Sequence, residues 1–149
     1  MAEPKNPRFE QAVRESFAAQ QLMGTLGARL ARVAAGEVEI RLPFRADLTQ
    51  QHGFLHAGVV AAALDSACGY AAFSLMPAGA GVLSIEFKIN LVAPARGEEL
   101  IARGQVVRAG RTVTVCQADA FMRSGGEETL IATMLATMMT ISDRPDVKG

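Results

Sequence analysis

The stretch that decides the fold is AGVVAAALDSACGYAAFSLM, residues 57–76, which is apolar apart from a few small polar residues and one acid, Asp65, near its middle. A run of this length approaches that of a membrane-spanning helix. However, alanine and glycine predominate over leucine and isoleucine, and no lysine or arginine lies close to either end. The pattern therefore favours a buried helix of a soluble protein over a membrane span.

The segments on either side of this helix predict an antiparallel sheet. Residues 7–27 have apolar positions at helical spacing and predict an N-terminal amphipathic helix. Residues 28–44 contain two short runs separated by a turn at Gly36, with apolar and polar residues alternating, which is typical of a hairpin. Residues 45–56 form a loop before the central helix. After it, the turn sequences ARGEE, RAGR and RSGGEE separate four further strands.

About six antiparallel strands and one nearly all-apolar helix predict an α+β domain in which the sheet curls around the helix. The small residues on every side of the helix let a sheet approach closely. We expect one domain over residues 1–149, with flexible tails at residues 1–6 and 143–149. Because a buried carboxylate is costly unless it is paired or used, Asp65 must face a partner, a cavity or another chain.

The composition limits the classes of molecule that the protein is expected to bind and indicates its cellular compartment. Fifteen basic and fifteen acidic residues cancel, and no block of lysine or arginine appears, which argues against nucleic acid or an anionic membrane as a partner. The two cysteines, Cys68 and Cys116, fit neither a CxxC pair nor a disulfide framework and indicate buried free thiols in a reducing compartment. The N-terminal segment lacks the apolar core of a secretion signal, so we expect a cytoplasmic protein.

The start of the central helix has the features of an oxyanion site. The loop ends at His56, and the small residues Ala57 and Gly58 open the helix, which leaves backbone N–H groups accessible to an incoming oxygen. The helix dipole adds partial positive charge there. Asp65 supplies the complementary group for acyl transfer, since a carboxylate can deprotonate water or attack a thioester carbonyl itself.

The spacing of these two groups predicts a site shared between subunits. Ala57 and Asp65 lie eight residues apart, which is about 12 Å along a helix. One reacting carbonyl must lie about 3 Å from both the oxyanion donor and the base. The simplest solution places the helix N-terminus of one copy beside Asp65 of a second copy in a symmetric pair, so we expect an obligate homodimer with two equal sites.

The central region resembles the hotdog-fold acyl-CoA thioesterases, particularly the phenylacetate-degradation (PaaI-like) group. The resemblance covers residues 20–141 and is carried by the loop pattern HG-x-x-HAGV, by an acid nine residues after His56 and by the strand sequence VLSIEFKINLVAPARG. It implies a curved antiparallel sheet around a long helix, dimers and often tetramers. It further implies hydrolysis of an acyl-CoA to a free acid and coenzyme A, without a metal or other cofactor.

Five positions match residues with roles in that family. By resemblance, Asp65 is the catalytic acid, and the N–H of Ala57 is the oxyanion donor. Gln50 matches an Asn or Gln that orients the water or the thioester, and His56 matches a histidine beside the carbonyl. Ser84 matches a hydroxyl that positions water in some members. The sequence departs from the commoner HGG pattern because Ala57 replaces a glycine, which keeps the N–H but restricts the backbone.

Other residues are candidates for contact with the substrate. The acyl group needs an apolar pocket, and the phosphates of coenzyme A favour cations such as the two arginines that flank the Gly110 turn. The candidates are Gly58, Leu55, Phe73, Phe87, Arg108 and Arg111.

Several alternatives stay open at this point. Asp65 could be a purely structural buried acid. His52, His56 and Asp65 could bind a metal, although Gly53 interrupts helical spacing and no ExxH or CxxC motif is present. The fold also serves non-catalytic acyl-CoA sensors, which need no such acid, and hydratases or dehydratases, which pair a histidine with an acid in a different motif.

Overall fold

The computed structural model describes residues 2–149, which form three α-helices, one short 3-10 helix and six β-strands. The helices are α1 (Phe9–Ala19), α2 (Gln21–Leu26) and α3 (Ala57–Phe73), and the 3-10 helix spans Ala46–Leu48. The strands are β1 (Arg29–Ala34), β2 (Glu37–Pro43), β3 (Gly81–Leu91), β4 (Glu99–Ala109), β5 (Val113–Ser124) and β6 (Glu127–Ile141).

The six strands form one sheet in the order β1-β2-β4-β5-β6-β3, with every neighbouring pair antiparallel. The sheet packs around α3, which contacts every strand from β2 to β6. At the closest approach, a Cβ atom on Gly104 of β4 would lie 2.5 Å from the backbone of Ala67, so only glycine lets the helix pack there. The predicted α+β architecture and the β1–β2 hairpin are confirmed.

The N-terminal segment differs from the single helix predicted over residues 7–27. Gln20 has an extended backbone (φ −78°, ψ 105°) and separates α1 from α2. The break turns the Gln20 side chain toward α3, where its Nε2 donates to the Tyr70 hydroxyl at 3.0 Å. Periodicity could not reveal this break, because the residues on both sides of it keep helical spacing. The predicted N-terminal helix is therefore confirmed, but it is divided at Gln20 into two segments.

A β-bulge in β3 changes which side chains face α3. Ser84 is paired with Met138 and Phe87 with Ala136, and the register shifts between Ser84 and Glu86. Met138 and Ala136 both belong to the buried core. Because directly paired residues share a face, Ser84 and Phe87 both face inward, whereas an unbroken alternation along the strand would place them on opposite faces. The bulge therefore removes Ser84 from the outer polar face and turns it toward α3.

Strand β3 forms one edge of the sheet, and that edge is apolar. Several of its large side chains are about half exposed, namely Leu83, Ile85, Phe87 and Leu91. An exposed, long apolar edge strand offers unpaired backbone groups and hydrophobic area to another chain. Among residues 2–149 no further strand pairs with this edge.

The terminal segments both lie beside the C-terminal end of α3. The N–H of Lys5 donates to the Leu75 carbonyl at 3.5 Å, and the N–H of Gly149 donates to the Ala80 carbonyl at 3.1 Å. Residue 1, within the first predicted tail, lies outside the described residues, and the flexibility of both tails stays a prediction. No helix in the described part of the chain is long and apolar enough to span a membrane.

Candidate active site

Backbone hydrogen bonds hold the loop that leads into α3. The His56 N–H donates to the Leu48 carbonyl at 2.9 Å, and the Leu55 N–H donates to the Ala95 carbonyl at 3.0 Å. Gly53 has φ +86°, a left-handed conformation that glycine adopts without strain at the loop's turn. The position at which α3 begins is therefore fixed by contacts on both sides of the loop.

His56 caps the N-terminus of α3 with its own ring. Its Nδ1 accepts a hydrogen bond from the Gly58 N–H at 2.8 Å, so a neutral ring carries its hydrogen on Nε2. The N–H groups of Val59 and Val60 point to the His56 carbonyl. The Ala57 N–H has no hydrogen-bond partner within residues 2–149. It is thus the amide available to an oxygen ligand at the positive end of the helix dipole.

Ala57 lines a cavity of about 490 Å³, which we call the amide cavity. Its other lining residues are Gln50, Phe54, Leu55, His56, Val60, Leu91, Val92, Ala93, Pro94, Ala95 and Ile131. Most of these are apolar, and the polar groups gather around the start of α3. Arg96 stacks over the Phe54 ring at 5.1 Å, which places a cation beside this cavity. Sequence reasoning missed Arg96; its only signal was a basic residue in the turn after Pro94.

Asp65 faces a second cavity of about 430 Å³, which we call the acid cavity. The Ser84 hydroxyl donates to Asp65 Oδ1 at 2.7 Å, and this contact exists because of the bulge in β3. Asp65 is partly exposed rather than sealed in the core. The remaining lining residues are Ser16, Ala19, Gln20, Ser66, Gly69, Tyr70, Val82, Lys148 and Gly149.

A polar network forms one wall of the acid cavity. The Ser16 hydroxyl donates to the Tyr70 hydroxyl at 3.2 Å, and the Ser66 hydroxyl donates to Gln20 Oε1 at 3.2 Å. Gln20 Nε2 joins the two pairs through its bond to Tyr70. Sequence reasoning missed all four residues, and the chain's single tyrosine on the otherwise apolar helix was the available signal.

The structure therefore divides the predicted site residues between two places. Four of them line the amide cavity, namely Gln50, Leu55, His56 and Ala57, whereas Asp65 and Ser84 line the acid cavity. The predicted oxyanion donor, Ala57, and the predicted catalytic acid, Asp65, therefore line different cavities of the same chain.

The remaining candidates are not part of either lining. Gly58 follows Ala57 in the first turn of α3, and Phe73 is buried against Tyr70 with ring centroids 6.4 Å apart. Phe87 lies on the β3 edge. Arg108 and Arg111 lie at the β4–β5 hairpin, where Arg111 lines a separate cavity with Met76 and Thr140. Their contact with a substrate stays a prediction.

The two cysteines are buried thiols that lie outside both cavities. Cys68 and Cys116 are fully buried. Burial raises the pKa of Cys116 to about 12 and also raises the pKa of Cys68 strongly, so both stay protonated at neutral pH. In the described residues, no three His, Cys, Asp or Glu side chains are grouped closely enough to hold a metal ion.

Comparison with known proteins gives one family and one fold. The sequence profile of the thioesterase superfamily matches residues 52–129. A thioesterase family protein from Silicibacter pomeroyi, of known structure, shares 55% identity with a TM-score of 0.88, covering 89% of this chain and 98% of that one. A Halobacterium salinarum protein provisionally named an esterase is 36% identical over 101 residues, which are 64% of this chain and 66% of that protein, just under two thirds of its length.

A more distant structure confirms the hotdog fold. The E. coli PaaI protein, from the phenylacetic acid degradation operon, is 17% identical with a TM-score of 0.83, and the match covers 93% of this chain and 96% of PaaI. At this identity the likeness concerns the fold alone. The six-stranded antiparallel sheet wrapped around α3, with its N-terminal helices, is that fold.

Proposed function

Because this chain belongs to the thioesterase superfamily, we propose that it hydrolyses acyl-CoA thioesters to a free carboxylic acid and coenzyme A. Membership of this superfamily supports thioester hydrolysis in general. One observation carries it: the free Ala57 N–H and the Asp65 carboxylate, the two groups that such a reaction needs, both face open cavities.

The proposed chemistry begins with the thioester carbonyl at the start of α3. The Ala57 N–H donates to the carbonyl oxygen and stabilises the negative charge that develops on it. The His56 Nε2–H and the Gln50 amide are the polar groups beside that amide that can orient the thioester. The apolar lining of the amide cavity keeps water away from these hydrogen bonds, which strengthens them.

Asp65 supplies the second half of the reaction. The Ser84 hydroxyl donates a hydrogen bond to Oδ1 of Asp65. The other carboxylate oxygen, Oδ2, can then accept a proton from water or attack the carbonyl carbon. In the first route, the water oxygen bonds to the carbonyl carbon, the C–S bond breaks and the coenzyme A sulfur leaves with its electron pair. The proton that Asp65 took neutralises that thiolate. These groups account for every bond change, so we propose a reaction without a metal or other cofactor.

The two cavities belong to one reaction if a second copy of the chain completes the site. In the proposed homodimer, the amide cavity of one subunit adjoins the acid cavity of the other. The apolar edge of β3 supports this arrangement, since Leu83, Phe87 and Leu91 are each roughly half exposed in a single chain. Pairing of two β3 edges would bury these side chains and satisfy the unpaired backbone groups of both strands.

The direct test of the chemistry is Asp65→Asn, which keeps the side chain's shape and its hydrogen bond from Ser84. We expect a folded dimer with the melting temperature of the parent and a kcat lowered by about 10²–10⁴, the usual contribution of a positioned acid or base. Thiol release from a panel of acyl-CoA esters measures the rate. Activity close to that of the parent would reject the mechanism, and tight acyl-CoA binding without any thiol release by the parent would favour a sensor.

A further inference from the structure

Gly69 lies in the C-terminal half of α3, one turn beyond Asp65, and it lines the acid cavity. Nothing lies within 4 Å of the position that a Cβ atom would occupy there. Gly104 is the opposite case, because a Cβ on it would collide with α3. The space over Gly69 is therefore open, and packing within the subunit does not require a glycine.

The backbone does not require a glycine at this position either. Gly69 has an ordinary helical conformation rather than a positive φ. In the interior of a helix glycine is less favourable than alanine, because it loses more conformational freedom on folding. An alanine would thus suit α3 better in this subunit, and the missing side chain leaves open space in the cavity that Asp65 also lines.

We propose that the space over Gly69 is the acyl subsite and that Gly69 sets the size of the acyl group. This inference rests on the proposed thioesterase function. A carbonyl held beside Asp65 directs its acyl group along α3, and Gly69 lies four residues on, about 6 Å along the helix axis. The hydrogen-bonded wall formed by Ser16, Gln20 and Tyr70 lines the same cavity.

That wall limits the length of the acyl chain. A long alkyl chain would have to bury methylene groups against hydroxyl and amide groups that already bond to one another. The apolar part of the lining is small, since it consists of Ala19 and Val82 beside Gly69. The structure therefore fits a short acyl group, lying across the glycine, better than a fatty acyl chain.

The test compares Gly69→Ala and Gly69→Leu with the parent on acetyl-, butanoyl- and octanoyl-CoA. Gly24→Ala is the control, because Gly24 is also a helical glycine with nothing within 4 Å of its Cβ position, but it is exposed on α2 and lines no cavity beside Asp65. We expect both alanine variants to raise the melting temperature by about 2–4 °C. The Gly24 variant keeps the parent's kcat/KM for every ester.

The Gly69 variants should shift selectivity toward the smaller acyl group. We expect Gly69→Leu to lower kcat/KM for butanoyl-CoA by about tenfold or more relative to acetyl-CoA, and Gly69→Ala to shift the same ratio by less. If Gly69→Leu does not fold, the ratio measured for Gly69→Ala tests the proposal. An unchanged ratio in folded dimers overturns the acyl subsite, as does a Gly69 variant that becomes monomeric, since the partner would then fill the space. A parent inactive on every ester overturns the proposed function as well.

Discussion

Replacing Ala57 by proline removes one hydrogen-bond donor from the proposed site and disturbs little else. Proline is well tolerated at the first position of a helix, where the missing N–H has no partner within the helix. His56 already has φ −61° and ψ 141°, which is the extended conformation that the residue before a proline requires. Because the Ala57 N–H has no partner within residues 2–149, the substitution breaks no hydrogen bond in the described structure.

The expected loss of activity follows from the neighbouring amides. The Gly58 N–H is bound to His56 Nδ1, and the next two N–H groups point to the His56 carbonyl. No adjacent amide can replace the one that is lost. Removal of a single oxyanion donor lowers kcat by about 10²–10³, or about 3–4 kcal/mol of transition-state stabilisation. We expect this loss for Ala57→Pro, with an unchanged melting temperature, in a thiol-release assay on a short acyl-CoA.

Ala57→Val is the control, because it adds comparable bulk and keeps the N–H. We expect Ala57→Val to retain activity within a few-fold of the parent. Equal losses in the valine and proline variants would show that the effect is steric. Near-parental turnover by Ala57→Pro would refute the assignment of this amide as the oxyanion donor.

Three further predictions concern Ser84, Gly104 and the thiols. Ser84→Ala should lower kcat by about tenfold without loss of the dimer, because Asp65 loses the hydrogen bond from the Ser84 hydroxyl. An unchanged kcat and an unchanged pH–rate profile would show that Ser84 does not assist Asp65. Gly104→Ala should destabilise the protein by about 1–3 kcal/mol in urea unfolding, since the added Cβ overlaps the α3 backbone, and unaltered stability would contradict the packing. Cys68 and Cys116 should react with a disulfide reagent only on unfolding; rapid labelling of the native protein would contradict their burial.

Much of the fold could be predicted from local patterns. The apolar helix, the hairpin and the four later strands each follow from periodicity or turn residues, and their order leaves one economical packing. The break at Gln20 could not be predicted, because it accompanies a contact with Tyr70, which is distant in sequence. Tertiary contacts of this kind leave no trace in the local spacing of apolar residues.

In the candidate site, too, local patterns predict some features, whereas others depend on the folded structure. The acid and the helix start stand out because a lone carboxylate in an apolar helix and small residues after a histidine are both unusual. The contact of Ser84 with Asp65 depends on a one-residue bulge, which reverses the side-chain alternation of β3. A strict period of two places Ser84 on the wrong face, so the sequence alone could not decide its role.

The central claim, that each site takes its acid from one subunit and its amide from the other, is tested most directly by mixing two inactive variants. In a heterodimer of Asp65→Asn and Ala57→Pro, one site is intact and the other carries both defects. Random exchange of equal amounts makes about half of the dimers mixed, so about a quarter of the parental activity should return. A mixture that exchanges subunits but stays as inactive as the two variants alone would place the whole site within one chain and contradict the account.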